Sequence, residues 1–136
     1  MEDDFVNVTQ ALALKELGFT TNFLGYFDNN GELCANLLDV QFNEEEPNYK
    51  KDDSLVDAPL KSQVLKWFRD KHEMFPIIST FLGEEIPKFK GKLAHFWEIN
   101  MLVGIISEEP EIPYKTYEEA ESACIDKLIE IVKEKL

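Results

Sequence analysis

The C-terminal stretch TYEEAESACIDKLIEIVKEKL, beginning at Thr116, constrains the fold more than any other segment of the chain. Its apolar period is helical: Tyr117, Ala120, Cys124, Leu128 and Ile131 recur at three- and four-residue steps, flanked by Ile125 and Val132. Thr116 and Glu119 stand at capping-box spacing, an arrangement that stabilises a helix end by about 1 kcal/mol. Glu118, Glu119 and Glu121 fall in the first turns and Lys133 and Lys135 in the last, matching the helix dipole at both ends. A helix with one apolar stripe has to bury it against another layer, so the rest of the chain must supply that layer.

Two hairpins and two further helices are the expected source. TQALALKELGF reads as a short helix from Thr9, its N-cap, to Gly18, a left-handed terminus with Phe19 as an apolar clamp behind it. NFLGYFDNNGELCANLLDVQF reads as a β-hairpin. Phe23, Leu24, Tyr26 and Phe27 form one arm; Leu33, Ala35 and Leu37 begin the other, which extends toward Val40 and Phe42. Asn30-Gly31 supplies the positive φ angles of its turn. A middle helix is expected after Asp57, its capping acid, with Pro59 in the first turn. Leu60, Val64, Trp67 and Phe68 are its core stripe, with Lys66 and Arg69 opposite, and Pro76 stops it near His72. Ile77 to Leu82 and Leu93 to Leu102 read as a second hairpin, followed by a loop, SEEPEIPY. The fold class is α+β, in the order helix, hairpin, helix, hairpin, helix, with three helices packed on a small, mostly antiparallel sheet.

Residues 1–136 are long enough for one domain with an ordinary core, and 44% hydrophobic residues with 10 Phe favour a compact chain over disorder. NEEEPNYKKDDSLVD, residues 43–57, is expected to be an exposed acidic loop. The acidic start MEDDFVNVTQ has the wrong sign for a secretion signal, and no apolar run reaches the ~18 residues that cross a bilayer. Cys34 and Cys124 lie far apart, as reduced thiols of a cytoplasmic protein do.

Charge narrows the partners. With 27 acidic residues against 14 basic ones the chain carries -13, a field that repels nucleic-acid phosphates and anionic membranes alike. The exception is Lys61 to Lys92, where seven basic residues face four acids for a net +3, leaving -16 on the remainder. A cationic region on an acidic body is suited to docking on a protein partner or on a second copy. The exposed candidates for such contact are Lys66, Arg69 and His72 on the middle helix and Glu44, Glu45 and Glu46 on the acidic loop.

Taken in order, QALALKELGF, APLKSQVLKWFRDKH and TYEEAESACIDKLIEIVK resemble segments of small uncharacterised proteins encoded by phages and prophage-like elements of Bacteroides-type bacteria. The resemblance implies a mobile-element accessory protein in the cytoplasm of a bacterial host. It implies no activity and no functional residue.

Motifs for bond chemistry are not apparent. There is no Gly-x-Ser-x-Gly, no phosphate loop and no dinucleotide fingerprint. The Cys and His residues lack the close spacing of a zinc site, and the 43–57 acids lack the alternation and central Gly of a calcium loop. His95 and Glu98 fall on opposite faces of a strand, which disfavours an acid–base pair. The reading is therefore an accessory protein that works through protein contacts, with no catalytic residue, cofactor or metal. The alternative is an acidic nucleic-acid mimic that blocks a host nucleic-acid-handling or defence protein. The third is a small hydrolase using His95 or His72.

Overall fold

A computed structural model of the protein describes residues 2–21, 24–35, 56–83, 86–102, 104–107 and 113–135. Among them the elements run α1 (Val8–Glu16), β1 (Gly25–Phe27), β2 (Leu33–Ala35), β3 (Val56–Ala58), α2 (Lys61–His72), β4 (Phe75–Leu82), β5 (Leu93–Met101), β6 (Gly104–Ser107) and α3 (Tyr117–Lys135). The class is α+β, but the described strands form two antiparallel three-stranded sheets rather than one: β2-β1-β3 and β4-β5-β6. The chain divides into two compact units, Met1–Val64 and Leu65–Leu136, with the boundary inside α2.

In the first unit, α1 starts earlier than its Thr9 suggests. Asn7 is the N-cap: its Oδ1 accepts from the Gln10 amide at 2.8 Å, and Gln10 Oε1 accepts from the Asn7 amide at 3.0 Å. That is a complete capping box built from amide side chains, and Thr9 is the second residue of the helix, between them. The other end is as expected. Gly18 adopts φ +86°, its amide donates to Lys15 at 3.1 Å, and the Phe19 amide donates to Leu14 at 3.0 Å. These are the two bonds of a Schellman ending, closed by the buried side chains of Phe19 and Leu14.

The first hairpin pairs Gly25, Tyr26 and Phe27 with Ala35, Cys34 and Leu33. Its turn differs from the two-residue type implied by Asn30-Gly31. The Gly31 amide donates to the Asp28 carbonyl at 2.9 Å, the Asp28 amide donates to the Glu32 carbonyl at 3.0 Å, and of the loop residues only Gly31 is left-handed, at φ +78°. The Asp28 carboxylate accepts from the amides of Asn30 and Glu32, both at 2.9 Å, which fixes the longer loop. Phe23, Leu37, Val40 and Phe42 lie outside the described residues.

Asp57 does not cap α2. It sits in β3, opposite Tyr26, and the helix begins four residues beyond it, at Lys61, where Gln63 Oε1 accepts from the Leu60 amide at 2.9 Å. The Pro59 carbonyl accepts from the Val6 amide, and Phe5 bridges Leu60, so the N-terminal segment holds this stretch extended. Three-residue strands have no readable period, which is why β3 looks like loop in the sequence.

In the second unit, β4 and β5 form a long ladder from Phe75↔Asn100 to Leu82↔Leu93, and β6 extends it with Glu98↔Ser107 to Met101↔Gly104. The third strand lies in what reads as the tail of the second hairpin. On one face of β5, His95, Trp97 and Ile99 are buried, in line with the alternation of a strand. α3 lies along β4 and β5 and buries Ala120, Cys124, Ile125, Leu128, Ile129, Ile131 and Val132. Tyr117 departs from the expected stripe, at 43% exposed. Thr116 does cap this helix, its hydroxyl accepting from the Glu119 amide at 3.1 Å. A close approach fixes the start of the β4–β5 connection: a Cβ on Gly83 would lie 2.5 Å from the Cβ of Phe89.

Candidate functional site

The middle helix carries the cationic candidates, and burial sorts them. Val64 and Phe68 are fully buried, Trp67 is half-buried, and Lys66 and Arg69 are exposed. Lys66 is committed locally, as an i,i+4 ion pair with Asp70, so its charge is offset at the surface. Lys61, which counts toward the +3 of the sequence, is only 6% exposed and contributes little to the outside.

His72 is not the surface imidazolium that a helix C-terminus favours. Its ring lies 4.8 Å from Trp67 and 5.8 Å from Phe68, and its Nε2 is buried without a hydrogen-bond partner. Desolvation first, then the charges of Lys71 and Lys135, lower its pKa below the ordinary histidine value. The helix ends directly after it: Glu73 takes φ +53° and the Met74 amide donates to the Phe68 carbonyl at 3.2 Å.

His95 occupies a different setting, 9% exposed on β5. Its Nδ1 lies 2.9 Å from the Thr80 hydroxyl, directly across the ladder, and its ring meets Tyr117 edge-on with centroids 6.3 Å apart. Desolvation first, then Glu121, Glu118 and Cys124, raise the Tyr117 pKa. Glu98 stands on the other face, as the strand period requires, so no carboxylate of β5 faces His95. Cys124 is buried and its thiol is pushed up to about 12, mainly by desolvation and next by Glu121. Cys34 lies half-buried on β2 with its thiol directed to the Glu32 carbonyl at 3.8 Å. Among the described residues no group of three His, Cys, Asp or Glu is placed to hold a metal ion, and no helix is long and apolar enough to cross a membrane. Glu44, Glu45 and Glu46 lie outside the described residues.

The feature that sequence reading passed over is the second face of the β4-β5-β6 sheet, the one turned away from the His95 side. Phe75, Ile77, Phe81 and Ile105 project there and are 45, 43, 55 and 66% exposed. Phe81 packs on Phe96 with ring centroids 5.4 Å apart, and Glu98 and Asn100 of β5 share this face between β4 and Ile105. An apolar face of this kind on a sheet marks an interaction surface more often than chance exposure of single residues does. The signal was present in FPIISTFL, eight residues with no charge in a chain that is 30% charged.

No protein-family model, curated protein or solved structure matches the chain.

Proposed function

We propose that this protein is an interaction module of the phage- or prophage-accessory kind, which works through protein contacts in the host cytoplasm and carries out no bond chemistry of its own. The observation that supports this most is the exposed apolar face formed by Phe75, Ile77, Phe81 and Ile105. Arg69, exposed on α2, adds a positive charge that guides encounter with an acidic partner. Affinity capture from the bacterial host with the native protein and with Ile105→Lys tests the reading. A bound protein that is retained in high salt and lost with the variant supports contact through the apolar face. Capture that is indifferent to Ile105→Lys contradicts it. A partner released steeply by salt instead marks the alternative, an acidic surface that imitates nucleic acid, which rests on the charge of -13.

A second reading, a small hydrolase, draws on the 2.9 Å contact between the Thr80 hydroxyl and His95 Nδ1, the geometry by which an imidazole activates a hydroxyl. Turnover of an activated ester that vanishes in His95→Gln would support it, and no turnover above the buffer rate would remove it.

A further inference from the structure

The outer edge of β4 is the place where the interaction reading becomes specific. One residue beyond the strand, the Gly83 amide donates to the Lys92 carbonyl at 2.9 Å, continuing the β4–β5 register. In an antiparallel ladder hydrogen-bonded and non-hydrogen-bonded pairs alternate, so Phe75, Ile77, Ser79 and Phe81 also turn their backbone groups toward β5. The opposite side of β5 agrees: the His95 amide and carbonyl both bond Tyr114, at 3.1 and 2.8 Å, which leaves its partner Thr80 in a non-hydrogen-bonded pair. The amides of Ile78, Thr80 and Leu82 and the carbonyl of Pro76 therefore point outward, and among the described residues no strand pairs with them.

Natural proteins protect such an edge with charges, bulges or a very short strand. β4 is eight residues long and has none of these charges; its one edge-blunting residue, Pro76, sits near an end. From this we infer that β4 pairs antiparallel with β4 of a second copy, about a two-fold axis at Ser79. The inference rests on the protein-contact reading and names the partner.

The register follows from the backbone directions. Identical strands paired antiparallel must match outward-facing residues with outward-facing residues. Centring on Ser79 sets Ile78 opposite Thr80 of the second copy, with both exchanging amide and carbonyl. It also gives the Leu82 amide the Pro76 carbonyl, so that every outward amide finds an acceptor, and the proline, which has no N–H, leaves only the Leu82 carbonyl without a donor at each end of the seam. On the apolar face, Ile77 meets Phe81 of the second copy on either side of the small Ser79 pair, an aromatic–β-branched contact that stabilises strand pairs. Centring on Thr80 instead pairs fewer residues.

Charge supports the same occupant. Two bodies of -13 repel, and the uncharged β4 seam is the approach at which they meet without placing carboxylates opposite each other. Covering the exposed parts of Phe75, Ile77, Phe81 and Leu82 together with the strand edge on both copies removes on the order of 1,000 Å2, the lower limit for a specific interface. The dimer is accordingly one that dissociates on dilution.

Sedimentation equilibrium of the full chain over a wide concentration range, run on the native protein, Phe81→Lys and Ser79→Cys, tests this. The expected result is a native monomer–dimer equilibrium, weakened at least about tenfold by Phe81→Lys, which puts a charge into each seam contact. In the Cys34→Ser background, Ser79→Cys is expected to give a covalent dimer on oxidation, because the two thiols face each other in a closely spaced non-hydrogen-bonded pair. Far-ultraviolet circular dichroism identical to the native spectrum verifies that each variant is folded. A native chain that stays monomeric throughout overturns the self-pairing alone, since capture of a host protein through Ile105 is independent of it. A dimer that survives Phe81→Lys and does not cross-link through Ser79→Cys overturns the β4 seam.

Discussion

Two thiols and an imidazole show how burial, rather than residue type, decides chemistry here. Cys124 lies on the buried face of α3 with its thiol pushed up to about 12, so the nucleophilic thiolate is scarce at neutral pH. Alkylation of the native protein, read by mass spectrometry, is expected to label Cys34 and to leave Cys124 unmodified until denaturant is added; equal labelling of both would contradict the packing of α3. His72 has its folded pKa lowered, while the unfolded chain titrates near 6.5. In the window below 6.5 the unfolded state binds more protons, so stability rises with pH there. The contribution of His72 is whole above the unfolded value and is lost as pH falls toward the folded one. Going from about pH 7.5 to about pH 5, the native protein is expected to lose more stability than His72→Gln, measured by urea unfolding at each pH. Equal losses would place the imidazole in solvent. That environment was not legible in the sequence: position at a helix C-terminus predicts a favoured charge, whereas Trp67 and Phe68, which close over the ring, act through space. Lys61 was misleading for the same reason, since a lysine beside a helix start reads as surface charge and here is buried.

The elements legible in advance were those whose signals are local. α3 has a sustained helical period and a Thr116 cap, and the Gly18-Phe19 ending of α1 needs only one left-handed glycine and one apolar neighbour. β3 and β6 were not legible, because strands of three and four residues have too few positions to show alternation. The N-cap of α1 was readable but misassigned: Asn7 and Gln10 have the same spacing as a Ser/Thr–Glu box. Helix α2 offers a test of how an element ends. Glu73 is held at φ +53°, a region in which a Cβ is strained and glycine is not. Glu73→Gly is expected to raise unfolding stability by up to about 1 kcal/mol, the relief of strain outweighing the added freedom of the unfolded chain. A loss of stability of that size would mean that the Glu73 side chain holds the α2–β4 junction.

At the scale of the whole molecule, a chain with a charge of -13 keeps the eight residues of β4 free of charge, and that strand forms an edge of the β4-β5-β6 sheet. The candidate site was thus only half visible beforehand. Cationic residues were named because charge is readable one residue at a time. The apolar face was not, because Phe75, Ile77 and Phe81 on β4 join Ile105 on β6 only once β5 has paired with both. Self-pairing through the β4 edge turns on the outward amides of that strand, and residue-resolved hydrogen exchange by NMR at several protein concentrations reads them directly. Ile77, Ser79 and Phe81, bonded to β5, are predicted to stay protected at every concentration, while Ile78, Thr80 and Leu82 gain protection as concentration rises. Fast exchange at Ile78, Thr80 and Leu82 in concentrated and dilute samples alike would contradict it.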